Sequence, residues 1–387
     1  MKECAFLILA VMIAFAVPAG LCGASDQTVK VGLIAELTGD IPAVGASCKD
    51  AAEMAVREIN EAGGITIGNR KYRMELFIED SSDKPQQAAD AALRLIKENV
   101  VAVVGPNSSS NAIRASDVAE NSKVVMITPW ATNPKTTIDA GTGKPKEYVF
   151  RAAFIDTFQG RVLAKFALDT MKAKKAAVLY DAASEYSKGI AEFFKQNFEE
   201  MGGTITAFES YPANDKDFSP QLVKIRDASP DVIFLPDYYD DVPRQVKQAH
   251  RLGIKAPFLG SDSWSSHDLV KLCGGDCEGY YFSTHYFAAS PDPIERKFIE
   301  AYTVAYGKTP DDVAALTYDS FGLLRQALMR AGSLNRREVR NALAETKGYE
   351  GVTGRISFRD DSGDPIKSAV ILRIQDGKFV WIADVQP

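Results

Sequence analysis

The chain has 387 residues, a length that suggests two or three globular units. Hydrophobic residues make up 46%, aromatics 10% and charged residues 25%, a soluble balance that excludes a disordered chain or a repeat fibre. The net charge of −6 offers no basic face to nucleic acid, and three histidines (His250, His267, His285) poorly supply a His-based metal or haem centre.

Residues 1–24 read as an export signal. Lys2 opens a short polar start, an apolar run fills 5–17, and Pro18 and Gly20 break it before the small residues Cys22, Gly23 and Ala24. The run is too short to span a bilayer, and cleavage is expected before Ser25. Cys22 raises a second option, lipid attachment, which the bulky Leu21 directly before it disfavours. No later stretch reaches the roughly 18 apolar residues of a membrane span. The rest of the chain is therefore expected to be exported, soluble and periplasmic.

The remainder alternates strands and helices. A strand at 29–35 leads through a loop at 36–45 to a helix at 48–62, which Gly63 and Gly64 end. Strands follow at 73–79, 100–105 and 124–128, with helices at 85–99 and 108–121 between them. A second series has strands at 176–180, 205–211 and 232–236, and helices at 189–201, 218–228 and 241–252. Strands spaced by helices of this length build parallel sheets with right-handed crossovers. The two series meet near 150–160, so the fold class is α/β, with two doubly wound lobes.

Export makes disulfides plausible. With Cys4 and Cys22 in the signal, Cys273 and Cys277 enclose a glycine-rich turn that can close into a small disulfide loop. Cys48 is left as a small buried residue. A zinc reading of Cys273 and Cys277 lacks a second ligand pair.

Enzymatic signatures are missing. Gly141-Thr-Gly143-Lys144 has no glycine five residues before Gly143, and Pro145 follows the lysine. No strand runs into G-x-G-x-x-G, no G-x-S-x-G occurs, and the histidines have no neighbouring nucleophile. Neither catalysis, nor a metal, nor a cofactor is expected.

The distinctive features are polar turns at the carboxyl ends of strands, where α/β sheets bind ligands. Asn107, Ser108, Ser109 and Ser110 stand before a helix, where hydroxyls and free N–H groups suit a carboxylate; one serine there also serves as an ordinary N-cap. Trp130, Ala131 and Thr132 lie in a turn stiffened by Pro129 and Pro134. In the second series Tyr238 and Asp262 follow apolar strands. Acids there can pair with an ammonium group while aromatics cover an apolar side chain.

Several stretches resemble the type I periplasmic binding proteins, especially the leucine/isoleucine/valine-binding receptors of ABC transporters. They are KVGLIAELTGDIPAVG (30–45), REINEAGGI (57–65), VVGPNSSSNAIRASDVAE (103–120) and VMITPWATNP (125–134). DKDFSPQLVKI (215–225), QVKQAHRLGIKAPFLG (245–260) and TYDSFG (317–322) match as well. The resemblance implies a Venus-flytrap of two lobes joined by three crossing strands. It divides the chain into 25–154 plus 286–355 and 155–285 plus 356–387, with crossings near 152–156, 284–287 and 354–358. It also implies that Ser109 and Thr132 hold an amino acid's carboxylate and ammonium beside the Trp130 main chain. Asp262 falls where relatives neutralise the ammonium with glutamate, and Tyr186 and Tyr238 where closing-lobe tyrosines lie. Val44 stands in a loop position where those receptors have tyrosine, and Trp130 replaces a small residue. The ligand implied is a branched-chain or other aliphatic amino acid, delivered by a monomer to an ABC permease in the inner membrane. An aromatic or aliphatic carboxylate without the amine, or a periplasmic sensing role, is the alternative.

Overall fold

The computed structural model describes residues 27–359 and 362–387, and the expected signal with Cys4 and Cys22 lies outside the described residues. The first lobe's strands are β1 (Gln27–Ala35), β2 (Ile65–Ile67), β3 (Arg70–Asp80), β4 (Ala102–Val104), β5 (Val125–Thr128) and β6 (Val149–Arg151). They form one sheet in the order β2-β3-β1-β4-β5-β6, parallel except for β2 on β3. Helices α1 (Pro42–Glu61), α2 (Pro85–Lys97) and α3 (Ser109–Asn121) make the crossovers. Strands such as Val125–Thr128 are buried throughout, as strands of a parallel sheet covered on both faces must be.

The second lobe opens with α4 (Asp156–Asp169) and runs through β7 (Lys175–Asp181), α5 (Glu185–Glu200), β8 (Thr204–Tyr211), α6 (Ser219–Asp227) and β9 (Val232–Leu235). It continues with α7 (Val242–Arg251), β10 (Phe258–Gly260), α8 (His267–Cys273) and β11 (Tyr281–Thr284). The chain then returns to the first lobe with α9 (Pro293–Tyr306), α10 (Asp312–Ala331) and α11 (Arg336–Ala344), α10 lying along α1. Strands β12 (Tyr349–Gly351), β13 (Gly354–Phe358) and β14 (Pro365–Ile366) form a small antiparallel sheet. The chain ends in β15 (Ala369–Gln375) and β16 (Lys378–Val385), which complete the sheet β16-β15-β11-β10-β9-β7-β8. Two parallel-rich α/β lobes are thus as expected from the alternation of elements. The chain belongs first to one lobe, then the other, then returns to the first, and crosses to the second again for β15 and β16.

Several boundaries differ from those read in the sequence. Helix α1 starts at Pro42, because proline is preorganised for a first helical turn. Val44 therefore lies in a helix, buried, and not in a loop. Helix α5 starts at Glu185, where the Ser184 hydroxyl accepts the Ser187 N–H, and this places Tyr186 in its first turn. The last passage between lobes also comes later than 354–358. Phe358 packs edge-on against Phe150 of β6, and the Gly363 carbonyl accepts the Arg151 N–H, so the chain stays on the first lobe through β14. It joins the second sheet only at Ala369. Cys273 and Cys277 are bonded to each other, while Cys48 is free and its thiol is pushed by burial up to about 12.

Two glycines shape the loops that matter. Gly105 (φ +87°) turns the chain out of β4, and a Cβ there would fall 2.0 Å from the Ile34 carbonyl oxygen. Gly260 ends β10 under Trp264, whose ring a Cβ would meet at 2.2 Å. Beneath the Pro129–Pro134 turn sits Arg151, fully buried. It donates to Asp364 (2.6 Å), to the carbonyls of Ala131 (2.6 Å) and Asn133 (3.0 Å), and to Thr137 Oγ1 (2.8 Å). Removing one partner of such a buried pair leaves an uncompensated charge. Arg151→Met is expected to cost about 3–5 kcal/mol in urea unfolding; a change within about 0.5 kcal/mol would show that the turn does not depend on it.

Candidate functional site

The strand order reverses between β1 and β4 in the first lobe and between β7 and β9 in the second. Crevices outside the carboxyl ends of strands at such points are where open α/β sheets take ligands. Here the two crevices face each other and the lobes are closed. Asn133 donates to the Glu185 carbonyl (2.6 Å), the Glu185 N–H to Ser110 Oγ (3.1 Å), and the Ala43 N–H to the Tyr239 hydroxyl (3.4 Å).

On the first lobe, buried Glu36 at the end of β1 organises the serine turn. Its carboxylate accepts the N–H groups of Asn107 and Ser108 (3.0 Å each) and the side-chain amides of Asn107 (2.9 Å) and Asn111 (3.2 Å). The Ser108 hydroxyl donates to Asp83 (3.2 Å). Asn107 and Ser108, expected as ligand contacts, are thereby engaged inside the lobe. Ser110 is engaged across the cleft by Glu185. Ser109 Oγ accepts the Asn133 N–H (3.3 Å), tying the serine turn to the proline-flanked turn, and Thr128 Oγ1 donates to the Pro106 carbonyl (2.6 Å). Thr132 is fully buried and its hydroxyl has no hydrogen-bond partner.

On the second lobe, Asp262 is buried and richly held. Oδ1 accepts from Tyr186 (2.5 Å) and Gln159 (2.7 Å), and Oδ2 lies 3.1 Å from His285 Nε2. Tyr238 stands between Tyr186 (ring centroids 5.4 Å) and Trp130 (6.0 Å), forming an aromatic wall across the cleft. The Trp130 indole donates to Asp312 (3.1 Å), which also accepts from Thr284 (3.3 Å) and Ser265 of the second lobe. The structure thus brings Ser109, Trp130, Thr132, Tyr186, Tyr238 and Asp262 to the facing ends of the two lobes, whereas Ala131, expected with them, is engaged inside the first lobe: its N–H donates to Thr128 Oγ1 (3.3 Å) and its carbonyl accepts from Arg151. Val44 is packed in the first lobe's core.

Sequence reasoning missed Asp156, Gln159, His285 and Asp312. Asp156 opens α4, its N–H donating to the Thr132 carbonyl (3.0 Å), and neither of its buried carboxyl oxygens has a hydrogen-bond partner. Burial, then the negative charge of Asp262, pushes this carboxyl up to about 8, against the smaller pull of Thr132 and Arg151. Burial and neighbouring Asp311 likewise push Asp312 up to about 8. Among the described residues no lysine or arginine forms an ion pair with Asp156, Asp262 or Asp312. Only a chain fold could announce this: Asp156 lies 24 positions from Thr132, with no motif joining them.

Between its ordinary value of 3.8 and about 8, the Asp156 carboxyl holds more proton folded than unfolded, so stability falls as pH rises through that window. Ligand-free protein is expected to lose melting temperature between about pH 5.5 and about pH 8, and Asp156→Asn to lose less. Equal slopes in scanning calorimetry would contradict the assignment.

The sequence matches the family described as periplasmic binding protein over residues 28–378. Leu/Ile/Val-binding protein homolog 3 of Brucella melitensis is 30% identical, over 96% of this chain and 98% of that one. A leucine-binding protein of Thermotoga maritima superposes with a TM-score of 0.86 at 33% identity, covering 93% of this chain and 99% of that one. The branched-chain amino acid transporter substrate-binding protein of Streptococcus pneumoniae, in complex with isoleucine, gives 0.85 at 32% identity, covering 93% and 100%. Parallel-rich sheets in two lobes, ligand crevices facing each other, and similarity along almost the whole length agree: the chain belongs to the type I periplasmic binding proteins, in the leucine/isoleucine/valine-binding family.

Proposed function

We propose that this chain is the extracytoplasmic receptor of an ABC importer and captures an amino acid, branched-chain or other aliphatic, between its closing lobes. The observation that carries the reading is the pair of buried acids, Asp156 and Asp262, beside the unpartnered Thr132 hydroxyl, with no lysine or arginine among the described residues paired to either. An ammonium brings three donors and a positive charge, which this arrangement lacks. Asp262 uses three of its roughly four acceptor positions internally, so one remains for the ligand, while the Asp156 oxygens are open.

Ser109 and the N–H groups at the start of α3 then take the carboxylate, favoured by the positive end of the helix. Tyr238, Tyr186 and the Trp130 indole cover an apolar side chain. The relative in complex with isoleucine supports this ligand class. No bond is made or broken: binding shifts the open–closed equilibrium by its greater affinity for the closed form. That closed form would dock, as a monomer exported by its signal, on an inner-membrane permease. A carboxylate lacking the amine would leave the position between Asp156 and Asp262 without a donor.

The test is a thermal-shift panel on protein unfolded and refolded to remove carried-over ligand, with amino acids and benzoate-like acids at about 1 mM. A micromolar ligand at that concentration stabilises the fold by roughly 4 kcal/mol, several degrees of shift. Shifts confined to aliphatic amino acids, lost in Asp262→Ala, are expected. Shifts only with amine-free carboxylates would overturn the ammonium reading while keeping the receptor.

A further inference from the structure

Asp262 is held in part by a residue from the hinge. His285 follows β11 directly, in the second passage between the lobes, and is 2% exposed. Its Nε2 lies 3.1 Å from Asp262 Oδ2, and its ring packs against Phe154 of the first passage, with centroids 3.7 Å apart and the rings tilted by 31°. Nδ1 is buried without a partner. With Asp262 as a carboxylate, which only accepts, the nitrogen facing it would carry the proton and the ring would be the Nε2–H tautomer. Burial lowers the ring's proton affinity, against the pull of Asp262 and with a smaller push from Lys367 in the third passage, which favours the neutral imidazole. The charged groups facing it are therefore Asp262 from the turn after β10 and Lys367 before β15, with Asp156 of α4 acting through Asp262.

We propose that His285 is a positioning residue for ligand recognition: its Nε2–H turns Asp262 so that the carboxylate's remaining acceptor position faces the ligand's ammonium. The contact with Phe154 makes that orientation depend on where two of the three inter-lobe passages stand, so the acceptor is set correctly as the lobes close. This rests on reading Asp262 as an ammonium partner. The three donors are not equivalent in it: Tyr186 and Gln159 come from helices of the second lobe, and His285 alone comes from a passage between lobes.

The experiment compares wild type, His285→Gln and His285→Leu by calorimetry with L-leucine, L-alanine and the amine-free 4-methylpentanoate. Glutamine can present an N–H near the position of Nε2; leucine fills the space without a donor. His285→Leu is expected to weaken amino-acid binding roughly tenfold or more, the scale of one hydrogen bond to a charged group. His285→Gln is expected to recover most of it, with any 4-methylpentanoate binding unchanged. In parallel, imidazole nitrogen NMR on ligand-free protein, which has only three histidines to assign, should show His285 as the neutral Nε2–H tautomer near pH 7. The Nδ1–H tautomer, or wild-type affinity in His285→Leu, would overturn this inference alone. Wild-type protein that binds neither L-leucine nor L-alanine would overturn the ammonium reading and this inference with it.

Discussion

The structure depends on buried carboxyl groups gathered between two lobes without a cation to match them. Asp156, Asp262 and Asp312 are each almost wholly removed from water, and each is answered only by neutral donors or by none. Buried charge is tolerated when it is paired or hydrogen-bonded, and otherwise the group keeps its proton. Asp262 is hydrogen-bonded by Tyr186 and Gln159 and lies against His285. Asp156 is not so held, and its carboxyl is accordingly pushed into the range where it stays protonated near neutrality. On the proposed reading, an amino acid's ammonium supplies the positive charge that these acids lack when the lobes close.

The remaining architecture holds the acids and their neighbours in place. Parallel sheets put every loop of interest at one edge of each lobe, and the two reversals of strand order open crevices that face one another. Glu36 fixes the serine turn from behind, and Arg151 fixes the proline-flanked turn from below by seizing its carbonyls. Both use full charges inside the first lobe, spent on backbone geometry and not on ligand. Asp312 performs a comparable task at the rim, joining Trp130 of the first lobe to Ser265 and Thr284 of the second. Contacts on opposite lobes are thereby completed together when the lobes are closed.

Much of the fold was legible because apolar runs and helical spacing alternate cleanly from β1 to α7. The turns after β4, β5, β9 and β10 were legible for the same reason, each following an apolar strand. What escaped was set by tertiary contact. Proline at position 42 begins a helix that periodicity alone starts later, which moved Val44 out of its loop. The last crossing was read too early because β13 and β14 are short and their partners, such as the Arg151 N–H, lie about two hundred residues away. Serine richness at 107–110 pointed to the right turn but not to the division of labour within it, which Glu36 decides from another strand. Asp156 and His285 carry no local signature: an acid at a helix start and a histidine after a strand become a site only when the hinge brings them to Asp262.

The most direct test of the central claim is a crystal structure of the protein grown with L-leucine. The account predicts closed lobes with the ligand's amine nitrogen about 3 Å from a carboxyl oxygen of both Asp156 and Asp262. An amine facing neither acid, or a ligand carboxylate placed between them, would contradict it.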